Sequence, residues 1–165
     1  SKQRAPDTQI LDIAAGGGRH ALWLTSLGHE VTAIDRDTSA LEEAWRGAGS
    51  PTNLRILQAD LEDDPWPLPG QHFGAVVVVN YLWRALLPTL FAAIAPGGLL
   101  LYETFGVGNE RYGRPRNPDY LLREGELQAA TPSDFEILEC AHGPVGAPPT
   151  AVRQRLLAKR SHRPG

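Results

Sequence analysis

Three aspartates recur along the chain at spacings of 23 and 25 residues: Asp12, Asp35 and Asp60. Each closes a short apolar run, and the first is followed by Gly16-Gly17-Gly18. Glycine lets a backbone approach a ligand closely, because no Cβ intervenes. A carboxylate beyond such a loop can accept hydrogen bonds from two vicinal hydroxyls, as a ribose presents. A further carboxylate, one strand out, can accept from an exocyclic amine. Adenosine meets these demands together.

The elements that must position these groups alternate apolar runs with helical periods, which predicts an α/β domain with a mainly parallel sheet. Residues 10–14, 31–34, 54–57, 75–79 and 99–102 read as strands, with 135–138 and 151–157 as closing ones. Ala21, Leu22, Leu24 and Leu27 share a helix face stopped by Gly28. Ser39 and Glu42 have capping-box spacing at the head of a second helix. A third helix runs to Ile94 with Pro88 in its first turn, and residues 124–130 suit a short fourth. The valine run Val76 to Val79, which lacks alternation, predicts a central strand covered on both faces. Pro96-Gly97-Gly98 predicts a turn into the next strand. In such sheets ligands bind at the carboxyl ends of the strands, where the three aspartates fall.

Composition removes several classes. The 165 residues suit one domain, and 42% apolar with 21% charged is a globular balance. No apolar run approaches the roughly 18 residues of a membrane span, and no signal segment opens the sequence. A cytoplasmic protein is expected. Cys140 is the single cysteine, so no disulfide framework, Cys-rich zinc site or other metal centre is expected. Cys140 reads as a buried small residue, and Trp23 and Trp45 read as core or helix-packing residues. The net charge of -3 disfavours a polyanion binder, although the stretch from Arg153 onward holds 5 of the 16 basic residues and no acid. Such an end can meet RNA phosphate, or form a solvated strand edge and frayed tail.

Two adenosine cofactors compete. Gly16-Gly17-Gly18-Arg19-His20-Ala21 fits the dinucleotide pattern G-x-G-x-x-[GA]. Asp12 stands against it, because an anion ahead of the loop repels a pyrophosphate and suits a cation. S-adenosylmethionine carries an ammonium and a sulfonium, and no phosphate.

Ile10-Leu11-Asp12-Ile13-Ala14-Ala15-Gly16-Gly17-Gly18 resembles the first motif of class I S-adenosylmethionine-dependent methyltransferases, D-x-[GA]-x-G-x-G. Val31 to Asp35, Ala59-Asp60-Leu61, the valine strand ending at Asn80, and Ala95-Pro96-Gly97-Gly98 resemble later motifs in order. The resemblance covers residues 8–105. It implies a Rossmann-like, doubly wound, seven-stranded sheet, mainly parallel, with an antiparallel C-terminal strand and helices on both faces. It also implies S-adenosyl-L-methionine as cofactor. Asp12, Ala14 and Gly16 would lie along the methionine part, and Gly18 at the loop-to-helix turn. Asp35 would take the ribose hydroxyls, with Arg36 near adenine. Asp60 would bind the adenine amine, the Leu61 backbone would touch the ring, and Asn80 would sit beneath the sulfonium, offering its carbonyl side. The family's N-terminal helical segment has no counterpart before the first strand near Gln9, and the sequence contains no Met. The single domain 1–165 is therefore expected to be either a piece of a longer protein or an unusually open domain.

Methyl transfer is an in-line displacement that needs proximity, alignment and exclusion of water. Residues for the acceptor side are Tyr81, Arg84, Glu103 and, in the Gly- and Arg-rich loop 106–123, Arg111, Tyr112 and Tyr120. That loop is expected to lie on the substrate side. Asn80-Tyr81-Leu82-Trp83 lacks the two prolines of the [DNS]-P-P-[YFW] motif used by many adenine and glutamine N-methyltransferases. Residues 103–116 resemble bacterial small-molecule methyltransferases of the tellurite-resistance type. The expectation is methyl transfer to a small-molecule acceptor by a monomer or weak dimer with no membrane partner. Three alternatives stand beside it: an RNA methyltransferase using the basic end, an NAD(P)-binding oxidoreductase domain, and a non-catalytic S-adenosylmethionine-binding protein.

Overall fold

The computed structural model describes residues 8–162. Its strands are β1 (Gln9–Ile13), β2 (Glu30–Asp35), β3 (Leu54–Gln58), β4 (Phe73–Val79), β5 (Ile94–Phe105), β6 (Phe135–Val145) and β7 (Ala151–Arg160). They form one seven-stranded sheet in the order β3-β2-β1-β4-β5-β7-β6. Pairing is parallel from β3 to β5, and β7 runs antiparallel to both of its neighbours. The helices are α1 (Arg19–Ser26), α2 (Ser39–Gly47), α3 (Leu87–Ala92) and α4 (Glu126–Ala130). The order reverses beside β1, which makes its carboxyl end the switch point where ligands bind.

Local chemistry explains the turns. Gly18 caps α1 with φ 83, a left-handed conformation, and a Cβ there would collide with buried Leu41 of α2. The second helix starts differently from the capping-box expectation. Thr38 is its N-cap, Ser39 is its first helical residue, and the Asp37 carboxylate accepts from the Ser39 amide at 3.0 Å. Pro88 sits in the first turn of α3 as expected, after a 3-10 turn at Arg84–Leu86.

Ile94 and Pro96-Gly97-Gly98 depart from expectation. They belong to β5, with a register shift against β4 between the pairs Phe73–Ile94 and Ala75–Leu99. The chain thus enters β5 through a bulge rather than a separate turn. Gly97 has φ +79, and a Cβ on Gly98 would crowd the carbonyl oxygens of Ala95 and Gly74.

The valine strand is not covered on both faces. Val76 and Val78 are fully buried, whereas Val77 and Val79 are only half-buried. Leu100, Tyr102 and Thr104 of β5 and Val152, Gln154, Leu156 and Ala158 of β7 continue the buried face. It packs into the larger core with Leu86, Leu87, Leu90 and Phe91. A smaller core joins α1 and α2 to β1, β2 and β3 through Ala21, Leu41, Ile10, Val31 and Ala33. Across β4, β5 and β7 the second face is open, and Leu101 there is 43% exposed. A run of valines hides this alternation because both faces carry the same residue.

Two packing expectations also change. Trp23 projects outward at 61% exposure, while Trp45 is half-buried and donates from its indole nitrogen to the Pro51 carbonyl. Cys140 is exposed rather than buried, because β6 is an edge strand bonded on one side only.

Candidate active site

The three aspartates come together at the strand ends, in two adjoining clefts. Ala14, Asp35, Arg36, Ala59, Asp60, Leu61, Glu62 and Tyr81 line a cleft of about 160 Å³. A larger cavity of about 810 Å³ opens between α1 and the bare sheet face. Asp12, Ala14 and Gly16 lie at its β1 side, with Val77, Val79, Leu101, Glu103 and Arg153 along the sheet. Ala14 is common to both spaces.

Asp12 is 3% exposed, and its Oδ2 has no hydrogen-bond partner. Burial, followed by the nearby charge of Asp35, pushes its pKa up to about 7. An orphaned, buried carboxylate oxygen is costly unless a donor or cation meets it. The ammonium of S-adenosylmethionine has that chemistry; a pyrophosphate would add like charge.

Asp35 braces the glycine loop. Its Oδ2 accepts from the Gly16 amide at 2.8 Å, and its Oδ1 from the Asp37 amide at 3.1 Å. Each carboxylate oxygen retains acceptor capacity for a hydroxyl. Ala14 and Gly16 both adopt positive φ, 53 and 57, which folds the loop back across the tip of β1. A Cβ on Gly16 would meet nothing within 4 Å, so its bareness leaves space on the cavity side. Asp60 Oδ1 accepts from the amides of Glu62 and Asp63, which turns the chain and leaves Oδ2 without a partner among the described residues. These features fit an adenosine with a cationic tail.

The acceptor-side residues are dispersed. Tyr81 stands in the smaller cleft, where burial and then Glu62 and Asp60 push its phenol up to about 12. It is a neutral wall at physiological pH, not a base. Arg84 is taken up by structure. Its Nε donates to Glu126 Oε2 at 2.6 Å and its Nη2 to Oε1 at 3.0 Å, and it also donates to the carbonyls of Asp119 and Leu121. Tyr112 is exposed and outside both clefts. Glu103 lines the large cavity.

Loop 106–123 contributes no residue to these two clefts, but its Asp119 and Tyr120 line, with Glu62, Trp83 and Arg84, a third space of about 320 Å³. The segment is packed in place: Asn109 is 1% exposed and ties Val152 to Pro115, and Leu121 and Leu122 are buried. His142 accepts from the Gln154 amide at Nδ1 and donates from Nε2 to the Val107 carbonyl.

Arg153 is the site residue that sequence reasoning missed. Its sequence context groups it with a basic end, yet β7 is an interior strand. Its Nη2 donates to Asn80 Oδ1 at 2.6 Å and lies 3.5 Å from Glu103. Arg155 pairs with Glu139 and Arg160 with Asp134.

A switch-point cleft with acids at three strand tips and a glycine loop defines an adenosine-cofactor enzyme of the Rossmann-like class. The family model described as "Methyltransferase domain" matches residues 10–98, more than half of the chain. The chain belongs to that family, whose methyl donor is S-adenosylmethionine. TehB from Haemophilus influenzae superposes with a TM-score of 0.72 at 19% identity, covering 93% of this chain and 57% of that one. A SAM-dependent methyltransferase from Methanosarcina mazei gives 0.69 at 18%, covering 96% and 95%. The N-methyltransferase NodS from Bradyrhizobium japonicum gives 0.71 at 16%, covering 93% and 86%. No curated protein matches the sequence. Among the described residues no helix is long and apolar enough to cross a membrane, and no cluster of ligating side chains could hold a metal ion.

Proposed function

We propose that this methyltransferase acts on a small-molecule acceptor, with the cofactor held by Asp12, Ala14, Gly16, Gly18, Asp35, Arg36, Asp60, Leu61 and Asn80. The observation that carries the cofactor assignment is the buried, unpartnered Oδ2 of Asp12, a residue in the lining of the large cavity. S-adenosylmethionine supplies a methyl carbon already activated by the sulfonium, so the chain's own work is to bind, align and exclude water. Asp12 meets the ammonium and orients the methionine end. Asp35 takes the ribose hydroxyls while bracing Gly16. Asp60 Oδ2 faces the adenine amine, with Leu61, Arg36 and Tyr81 around the ring. Gly18 sets the turn into α1.

A small acceptor suits the large cavity, whose apolar wall is Val77, Val79, Leu101 and Trp23. Glu103 is the side chain there that can accept a proton if the acceptor must release one. The basic stretch gives the RNA reading little support, because Arg155 and Arg160 pair with Glu139 and Asp134 and Arg153 faces the cavity rather than a free tail. Calorimetric titration separates the cofactor classes. Heat with S-adenosylmethionine and none with NAD is the expected result, and the reverse pattern defeats this reading.

A further inference from the structure

Arg153 is held unusually firmly for a cation beside an open cavity. Its neighbours Val152 and Gln154 are buried on the opposite face, and its own side chain is 16% exposed. The guanidinium lies 4.8 Å over the Phe105 ring, its cross-strand partner on β5. The Asn80 bond at 2.6 Å is short, whereas Glu103 stands off at 3.5 Å. Cation–π contact and a charge-assisted bond therefore fix the plane of the guanidinium before any ligand arrives.

This contact dictates the orientation of Asn80. A guanidinium offers only donors, so the amide must turn its oxygen toward Arg153 and its Nδ2 away. The backbone at Asn80, φ 58, sets the residue just beyond the end of β4. Asn80 Nδ2 and Arg153 Nε and Nη1 make no hydrogen bond among the described residues. The expected carbonyl face of Asn80 is thus already used, and the cavity meets N–H donors at this point. Asp12 is three strands from Arg153 but on the strand next to Asn80, and Glu103 meets Arg153 at Nη2, so Nε and Nη1 are the arginine's open donors.

We propose that Arg153 and Asn80 form a receptor for a carboxylate, so that the methyl acceptor is an anionic small molecule with an apolar body. The proposal rests on the methyltransferase reading and names the substrate class for its cavity. The carboxylate lies on the donors of Asn80 and Arg153, and the apolar body lies on Val77, Val79 and Leu101. A cationic group placed on the Arg153 donors themselves would meet an arginine and a sulfonium together. Arg rather than Lys suits the role, because its planar fork matches a carboxylate.

The test uses calorimetry on the protein saturated with S-adenosylhomocysteine. The probes are benzoate and hexanoate, with benzamide and hexanamide as uncharged counterparts. Carboxylates are expected to bind at least about tenfold more tightly than their amides, and Arg153→Gln to remove that preference. Asn80→Asp, which keeps the arginine contact but replaces the donor with an anion, is expected to abolish carboxylate binding. Arg153→Lys should restore only part of it. Equal binding of acids and amides, no carboxylate binding, or unchanged binding in Arg153→Gln overturns the proposal. A second arm asks whether the carboxylate is the cofactor's own. If Arg153→Gln weakens S-adenosylhomocysteine but not 5′-methylthioadenosine, the arginine holds the methionine carboxylate and the proposal falls. Failure of the wild-type protein to bind S-adenosylhomocysteine defeats the functional reading instead. The benzoate comparison without nucleoside then still tests the anion receptor.

Discussion

Asp35 Oδ2 accepts a hydrogen bond from the Gly16 amide at 2.8 Å, joining the tip of β2 to the glycine loop. The same carboxylate that would take the ribose hydroxyls therefore preorganises the loop that passes the methionine end. Asp35→Ala should weaken S-adenosylmethionine and S-adenosylhomocysteine together, by about 10- to 100-fold, since both a ligand contact and a brace are lost. Calorimetric affinities check this, and unchanged values would remove Asp35 from the site.

Asp12 gives the free protein a pH signature. Its folded pKa is raised to about 7 by burial and by Asp35, above the roughly 3.9 of an unfolded aspartate. The folded state holds a proton that the unfolded chain has released, so this contribution is full below about pH 4 and lost as pH rises toward 7. Asp12→Asn should flatten that decline and raise Tm at pH 8 while weakening cofactor affinity. Thermal melts of both proteins from pH 4.5 to 8 provide the comparison. Binding of the cofactor's ammonium should also expel the proton, which calorimetry in buffers of different ionisation enthalpy detects.

Arg84 and Glu126 hold the loop from beneath. Burial pushes the Glu126 carboxyl up, but the Arg84 and Arg123 contacts together hold it below the usual range. Its stabilising contribution is present above the unfolded value, roughly 4.3, and lost as pH falls through the lowered one. Arg84→Leu leaves a carboxylate that is 11% exposed without its fork and frees the Leu121 carbonyl. A loss of about 1–3 kcal/mol is expected, with hydrogen-exchange protection falling in 118–123. Cofactor affinity should hardly change, because neither cleft contains Arg84.

Ala14 occupies a left-handed conformation at φ 53, whereas Ala15 does not. Ala14→Gly relieves about 1–2 kcal/mol of strain against about 0.4–1 kcal/mol of added unfolded-state entropy. It should be neutral or slightly stabilising. Ala15→Gly should only destabilise, by about 0.5–1 kcal/mol. Denaturant melts of the pair test the loop geometry independently of any ligand.

The candidate cofactor side was legible because its three acids sit at strand ends: Asp12 next to last in β1, Asp35 last in β2, and Asp60 two residues beyond β3. Asp12, Asp35 and Asp60 can be placed by counting βα units, and the glycines mark the turn. Arg153 could not be placed that way. It reaches Asn80 across 73 residues of sequence, through the antiparallel return of β7 between β5 and β6. Within a run of arginines and lysines nothing distinguishes the side chain that faces a cavity from those on an edge. The bare face of β4 was hidden for a similar reason, since Val77 and Val78 are chemically identical but differ in what covers them. Trp23 shows the reverse limit: helical spacing places it on α1 but not toward a core.

The central claim is that this chain passes a methyl group to a small anionic molecule through the cavity beside Arg153. The direct measurement supplies S-adenosylmethionine labelled in its methyl group, with a metabolite pool and total RNA as parallel acceptors. The label is expected in small acidic molecules, and to vanish from them with Asp35→Ala and with Arg153→Gln. Label confined to RNA, or label in small molecules that is indifferent to both substitutions, would contradict it.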